Sequence, residues 1–418
     1  MENQNYRYRY ELGLKFDQVR RILVGIDKSK SSGEELREMK SKNTLIVTDP
    51  NVHKFGLLEG IIKSISDANL KYEVYEDISN EPNMSNIIKA VEFARKNGNF
   101  DSVLGVGGGS VLDTSKMVAS MITNPGEPSE YLTPIEDKFK KPSIPKILIP
   151  TTGGTGSEVS NMSVVIEKDT MYKTWAASSN LLADTAIVDP KLNVSAPART
   201  TAASGMDALA HNVEGLISKE ANPISDGMAT MAASLIYQNL RTAYNDPGNL
   251  EARSAMSTGA MLGGMVITFP WVAGPSILGH CLGEAFGPKY GAIHGVAVGM
   301  ALPYILDFNI SATYEKISHL AGIFGIKRRG ESPRSVAEKI PGKIIELLED
   351  LEMPTTLNAI NFPKSDIEPF ADYVFESRQK LYDLPRYNPR RLTRENTRRL
   401  IKNMFDGTFE NAQYPDRR

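Results

Sequence analysis

The chain has 418 residues, more than one compact core normally holds, so its length predicts two domains. Apolar residues make up 41% and charged residues 23%, and 48 basic against 50 acidic side chains leave a net charge of −2. These values indicate an ordinary globular protein and argue against a nucleic-acid or membrane partner. The single cysteine cannot form an internal disulfide, and the N-terminal stretch MENQNYRYRYELG has no apolar segment, so we expect a cytoplasmic protein.

Short β-branched runs alternate with helical patterns in the first half of the chain. Apolar residues recur at helical spacing in Leu57–Ala68 and Asn86–Lys96. Strands are predicted at 44–48, 72–75, 102–106, 146–149 and 185–188. This order predicts a Rossmann-like, mainly parallel sheet with helices on both faces over residues 1–195. From Leu192 onward the pattern is helical, which predicts an all-helical domain over residues 196–418.

A stretch without charged residues runs from Ser254 to Gly283 and raises the question of a membrane span. Pro270 and Pro275 lie inside it and would break a single spanning helix. The stretch therefore predicts two buried helices of a soluble protein, separated by a turn.

Two loops of small residues follow predicted strands. The first, Gly107-Gly108-Gly109-Ser110, joins a strand to a helix, where glycine backbone and the helix N-terminus favour a phosphate group. It is not the G-x-G-x-x-G fingerprint, and a plain turn is the alternative. The second loop, PTTGGTGSE at 150–158, offers threonine hydroxyls and bare backbone. Together they predict a dinucleotide crevice at the carboxyl ends of the strands.

Asp49 closes the strand predicted at 44–48. A carboxylate at that place can accept hydrogen bonds from ribose hydroxyls and would repel a 2′-phosphate. The alternative is that Asp49 and Pro50 only form a turn.

Three of the five histidines lie between residues 205 and 295. Asp207 and His211 are spaced i, i+4 in a helical pattern, which puts both side chains on one face, and His280 and His294 follow. Three imidazoles and one carboxylate suit Fe²⁺ or Zn²⁺. Because a structural zinc site usually has several thiolates and this chain has one cysteine, a catalytic site is the better interpretation.

These motifs, in this order, resemble the iron-containing (group III) alcohol dehydrogenases. They are an aspartate at 49, GGGSVLDTSK at 107–116, PTTGGTGSE at 150–158, IVDP at 187–190, GMDALAH at 205–211, the histidines of 280–295, and NPR with T-x-E at 388–395. The resemblance covers residues 44–405, and PTTGGTGSE and GMDALAH are its specific parts.

The resemblance implies an α/β domain followed by an all-helical domain, with the active site in the cleft. It implies the metal ligands Asp207, His211, His280 and His294, with Fe²⁺ ahead of Zn²⁺. It further implies that NAD is held by Gly107, Gly108, Gly109, Ser110, Thr151, Thr152, Thr155 and Lys173. Asp49 would then favour NAD over NADP.

Three departures from the family pattern bear on the site. Many members have a histidine four residues after the third metal ligand, where this chain has Glu284. Glu284 is therefore our candidate for proton relay or for orienting a ligand histidine. An alternative alignment gives that histidine position to His280 and puts Ser276 in place of a ligand, but it requires an insertion. Glu81-Pro82 replaces the Asn-Pro of many members, and the segment 16–42 lacks the usual opening.

We therefore expect an NAD-dependent metal alcohol dehydrogenase that interconverts a small alcohol and its aldehyde or ketone. Two enzyme alternatives share the scaffold: a glycerol or polyol dehydrogenase, and a lyase or cyclase of the dehydroquinate synthase type. The lyase requires basic residues near the metal, whereas 254–283 contains none. A non-enzymatic scaffold protein is a third alternative, which the four ligands and both loops disfavour. We expect a homodimer or a higher homo-oligomer.

Overall fold

The computed structural model describes residues 15–78, 83–132, 136–166, 173–270, 272–273, 277–328, 330–378 and 387–412. These residues form two compact units. The sheet unit contains Asp17–Gly205 together with Thr242–Thr268, and the helical unit contains Met206–Arg241 and the described part of Phe269–Arg418. A domain boundary near residue 195 stays a prediction, and the segment Thr242–Thr268 adds a later part of the chain to the sheet unit.

The sheet unit is built on six parallel strands in the order β1-β8-β5-β4-β2-β3. The strands are β1 (Arg21–Val24), β2 (Asn43–Val47), β3 (Lys71–Tyr75), β4 (Ser102–Gly107), β5 (Lys146–Pro150) and β8 (Thr185–Val188). The five predicted strands are confirmed. Sequence reasoning missed β1, because its four residues lie at the edge of the sheet and none of them is buried.

Helices cover both faces of this sheet. Along β2, Leu45 packs with one apolar cluster and Ile46 with another, because successive strand residues point to opposite faces. Each cluster also contains residues from helices, so β2 is buried on both sides, as parallel strands usually are. The helices of the first part of the chain are α1 (Ser32–Glu38), α2 (Pro50–Lys54), α3 (Glu59–Asp67), α4 (Met84–Asn97) and α5 (Gly109–Met121).

A two-stranded antiparallel sheet accompanies the main one. Its strands are β6 (Met162–Ile166) and β7 (Lys173–Ala177). Sequence reasoning missed this pair too. Each strand has only five residues, and the segment between them, 167–172, lies outside the described residues.

The second half of the chain is helical, as predicted. Its helices are α6 (Ala198–Ile217), α7 (Pro223–Asn245), α8 (Leu250–Thr268), α9 (Leu278–Tyr290), α10 (His294–His319), α11 (Pro333–Ala337), α12 (Ile340–Asp350), α13 (Ile367–Tyr373) and α14 (Arg394–Asp406). Helix α10 is the centre of the helical unit and packs against α9, α11, α12 and α14. The uncharged stretch Ser254–Gly283 contributes to two helices, α8 and α9, as expected.

One helical segment among the described residues, His294–Gly322, is long and apolar enough to cross a membrane by composition alone. Most of its apolar window, 83%, is buried inside the protein, as in the core helix of a globular unit.

Glycines let three helices of the helical unit approach closely. A Cβ at Gly283 of α9 would lie 2.3 Å from Val298 Cγ2 of α10. A Cβ at Gly299 of α10 would lie 2.8 Å from Met206 Cβ of α6. Real Cβ atoms do not make such contacts, so the helices depend on glycine here. These contacts fix α6, α9 and α10 beside one another at the point where Asp207 follows Met206.

Candidate metal and nucleotide sites

The three close-packed helices carry the acidic and histidine residues singled out above. Asp207 and His211 lie on α6, His280 lies near the start of α9, and His294 is the first residue of α10. All four belong to the helical unit. Asp207, His211 and His280 are buried, and His294 is partly exposed.

One side-chain atom each from Asp207, His280 and His294 lie within 4.8 Å of one another. Asp207 Oδ1 is 3.5 Å from His280 Nε2 and 3.5 Å from His294 Nε2. Atoms that share an ion at about 2.0–2.3 Å can lie up to about 4.6 Å apart, so this spacing is close to that of a ligand set. The structure therefore brings together three of the four predicted ligands.

The fourth predicted ligand, His211, contacts this cluster through its imidazole ring. Its imidazole stacks on that of His280, with 4.1 Å between ring centroids and 15° between planes, and His280 meets His294 edge-on. The i, i+4 spacing on α6 thus puts His211 beside Asp207, as the sequence predicts.

Glu214 is a member of the site that sequence reasoning missed. It lies on α6 and is fully buried, and its carboxylate hydrogen-bonds His280 Nδ1 and accepts from the backbone N–H of Gly279 at 2.6 Å. Asp207, His211 and Glu214 follow the i, i+4, i+7 spacing of one helix face, and that signal was present in GMDALAHNVEG.

Charge and hydrogen bonding in this group favour a bound cation. Burial would raise the pKa of Asp207, but the imidazoles of His211, His280 and His294 hold it well below its usual range. Burial would likewise lower the pKa of His280, but Glu214 and Asp207 raise it to about 10. Asp207 Oδ1 and His280 Nε2 are buried and make no hydrogen bond. The buried carboxylates of Asp207 and Glu214 carry negative charge that a divalent ion would compensate, and the ion would also give these two atoms a partner.

The predicted nucleotide residues follow three adjacent strands of the sheet unit. Asp49 comes after β2, the first glycine loop after β4 and the second loop after β5. These strands are neighbours in the order β5-β4-β2, with β3 on the far side of β2. The residues therefore share the carboxyl edge of the sheet at the point where strand order reverses, which is the usual ligand position in such sheets.

The two loops contact each other at this edge. The N–H of Thr151 donates to the carbonyl of Gly107 at 3.0 Å. A Cβ at Gly109 would lie 2.9 Å from Thr155 Cγ2, so only glycine allows this approach. Helix α5 begins at Gly109, and the residue before it, Gly108, has no side chain to cap the helix, so this N-terminus suits an anion.

Asp49 has a structural contact of its own. Its Oδ1 accepts from the N–H groups of Asn51 and Val52 at 2.8 and 3.2 Å and so caps α2. Asp49 therefore has the local structural role that the turn alternative gave it. A ribose contact stays a prediction.

A buried polar network supports the second loop. Lys116 Nζ, fully buried on α5, donates to Asp113 Oδ1, Ser160 Oγ and the carbonyl of Met162. Ser157 Oγ also donates to Asp113 Oδ1, at 2.6 Å. The network ties α5, the loop and β6 together. Lys116 and Asp113 lie in GGGSVLDTSK at helical i, i+3 spacing, but sequence reasoning gave them no role.

The same loop packs on α8 through two glycines. Gly156 has a φ of +61°, and a Cβ there would lie 2.4 Å from Gly264 Cα. A Cβ at Gly264 would lie 2.2 Å from the carbonyl oxygen of Gly156. Close to this contact, Gly153 lines a small pocket together with Asn193, Ser204 and Arg253. Arg253 is buried there and donates to Thr201 Oγ1 at 2.8 Å.

Two further predicted residues are buried. Lys173 is the buried first residue of β7, and Glu284 is buried on α9, one turn after His280. Ser276, on which the alternative alignment rests, and Glu81-Pro82 lie outside the described residues.

Two family models and several known proteins match this chain. The family model for iron-containing alcohol dehydrogenase matches residues 19–190, and the model for the C-terminal part of that family matches residues 201–405. Long-chain-alcohol dehydrogenase 1 of Geobacillus thermodenitrificans is 34% identical over 90% of this chain and 92% of its own length.

Two solved structures are similar over nearly the whole chain. A 1,3-propanediol oxidoreductase has a TM-score of 0.87 at 28% identity, covering 94% of this chain and all of that one. Sulfoacetaldehyde reductase from Bifidobacterium kashiwanohense, solved in complex with NAD⁺, has a TM-score of 0.80 at 26% identity, covering 93% and 98%.

Proposed function

Because this chain belongs to the iron-containing alcohol dehydrogenase family, we propose that it oxidises a small alcohol to its aldehyde or ketone with NAD, and catalyses the reverse reaction. The chain is accordingly an oxidoreductase, in preference to a lyase or a scaffold protein. The observation that carries the proposal is the buried group of Asp207, His280 and His294, with His211 stacked beside it.

We assign these four residues to a divalent ion, Fe²⁺ in the first place and Zn²⁺ as the alternative. The ion, when bound, supplies Lewis acidity at the substrate oxygen, and NAD supplies the hydride acceptor. The backbone at Gly107–Gly109 and the side chain of Ser110 would bind the pyrophosphate. Thr151, Thr152, Thr155 and Lys173 would line the rest of the nucleotide.

A panel of alcohols and aldehydes tests the function. Protein loaded with Fe²⁺ or Zn²⁺ should form NADH from at least one primary or secondary alcohol, glycerol included. Because the Asp49 carboxylate would repel a 2′-phosphate, we expect a higher kcat/KM with NAD than with NADP. Equal or better efficiency with NADP would refute the role of Asp49. Loaded protein that reduces and oxidises nothing in the panel would count against the function itself.

Glu284 is our candidate for the residue that relays the alcohol's proton to solvent. It is buried one helical turn after His280, whereas the carboxylate that bonds His280 Nδ1 is Glu214. Glu284→Gln keeps the shape and removes the charge, so a relay predicts a kcat at least about tenfold lower. The bound metal, measured by elemental analysis, should stay at the wild-type level. Unchanged turnover would mean that the proton leaves through water alone.

We also propose that the protein is cytoplasmic and forms a homodimer or a higher homo-oligomer. In the described part of the chain, β1 pairs only with β8, and its last residue, Val24, and the nearby Ile26 are exposed apolar residues. An edge strand with apolar neighbours is prone to pair with another chain. Light scattering on the purified protein gives the oligomeric state, and a monomer at micromolar concentration would contradict this part of the proposal.

A further inference from the structure

We propose that Glu214 is the positioning residue of the metal site, which fixes the ring orientation and the tautomer of His280. This inference rests on the proposed metal function. Among the described residues, the carboxylate of Glu214 hydrogen-bonds one predicted ligand, His280, and the backbone N–H of Gly279. It therefore acts on bound metal through the imidazole of His280.

Two contacts hold the carboxylate in place. One oxygen accepts from the N–H of Gly279 at 2.6 Å, and the other hydrogen-bonds the imidazole of the next residue, His280. A Cβ at position 279 would lie 2.2 Å from Glu214 Oε1, so a side chain there would displace the carboxylate. Glycine at 279 and glutamate at 214 are thus a matched pair between α9 and α6.

The hydrogen bond selects the tautomer of His280. An ionised carboxylate only accepts hydrogen bonds, so Nδ1 must carry the proton that it donates to Glu214. In the neutral imidazole, the form that binds a metal, Nε2 then keeps its lone pair, and it faces Asp207 Oδ1 at 3.5 Å. A metal ion needs that lone pair. An imidazole held in this way by a carboxylate is a better oriented and more basic ligand.

Glutamine cannot replace Glu214, although it has the same shape. Both carboxylate oxygens accept, one from Gly279 and one from His280, but an amide offers one acceptor and one donor. If the amide N–H₂ faced His280, it would favour the tautomer with the proton on Nε2, which has no lone pair for a metal on that nitrogen. If it faced Gly279, two donors would oppose each other in a buried place, at a cost.

The test is a zinc titration against a competing chelator, with wild type and Glu214→Gln. We expect the variant to bind Zn²⁺ about 10–100-fold more weakly, as for other partners of ligand histidines. The metal-free variant should keep the wild-type circular dichroism spectrum. Glu315→Gln, which removes an exposed carboxylate from α10 of the same unit, should bind zinc like wild type.

The outcomes separate the two proposals. Wild type that binds no zinc would overturn the metal function, and this inference would fall with it. Glu214→Gln with wild-type zinc affinity would overturn only the role of Glu214. If the variant does not fold, ¹⁵N spectra of histidine-labelled, zinc-loaded wild type decide, since the chain has only five histidines. We expect His280 to be protonated at Nδ1 and bound through Nε2, and the opposite assignment would overturn the inference.

Discussion

Replacing Asp207 by alanine should leave the protein folded but without its metal ion and nearly without activity. Asp207 is central to the cluster of predicted metal ligands, because its Oδ1 lies 3.5 Å from the Nε2 atoms of both His280 and His294. It also supplies the only carboxylate among the four predicted ligands. Without it, three imidazoles would have to bind a dication with less charge compensation.

The expected loss is large because the ion's Lewis acidity is worth several kcal/mol of transition-state stabilisation. About 4 kcal/mol corresponds to about a thousandfold in kcat/KM. Elemental analysis and steady-state kinetics with the best alcohol of the panel measure both effects. Asp406→Ala, which removes an exposed aspartate paired with Lys402, is the control and should change neither. Asp207→Ala that keeps one equivalent of metal would show that the ion binds elsewhere.

Glu158 should make the stability of the sheet unit depend on pH near neutrality. It ends the second loop and is only 2% exposed. Burial, partly offset by a backbone hydrogen bond and by Lys116, raises its pKa to about 7. The folded protein therefore holds a proton here that the unfolded chain, with an ordinary glutamate pKa of about 4.3, releases. Stability is greatest below the unfolded pKa and falls as pH rises through the folded one.

The comparison of wild type with Glu158→Gln isolates this contribution. Glutamine does not ionise, so it avoids the cost of a buried charge at high pH. From pH 5 to pH 8 the variant should gain about 2–3 kcal/mol relative to wild type in the free energy of unfolding. Urea unfolding at both pH values measures the gain. Glu73→Gln, an exposed glutamate of β3, should show a constant difference, and a constant difference for Glu158→Gln would contradict the prediction.

The sheet was predictable because its central strands are buried on both faces and carry continuous β-branched runs, as TLIV in β2 does. Such runs are visible without knowing their neighbours. The edge strand β1 is partly exposed and pairs with a strand distant in sequence, and β6 and β7 lie outside the main sheet and include partly exposed residues. The assignment of α8 to the sheet unit was not predictable either, because a helical pattern does not say which surface the helix will cover.

The candidate metal site likewise contains residues that the sequence predicts and one that it does not. Asp207 and His211 were found because a histidine and an acid at i, i+4 are conspicuous in an apolar helix, and His280 and His294 because histidines are rare in this chain. Glu214 was missed although it continues the same face, because an acid on a helix is ordinarily a solvated residue. Its role depends on the missing side chain of Gly279, a contact between α6 and α9 that only the folded protein shows.

The packing of Gly156 on Gly264 has a consequence for folding during synthesis. The loop at 150–158 leaves the ribosome about a hundred residues before α8 does, yet its backbone is covered by that helix. The loop at 150–158 is therefore still uncovered when the last strand of the sheet, β8, has emerged. The loop stays uncovered while the ribosome synthesises the chain that forms α6 and α7. A nascent chain arrested before residue 268 should therefore have a formed sheet but an uncovered loop, open to proteases and chaperones until the returning helix arrives.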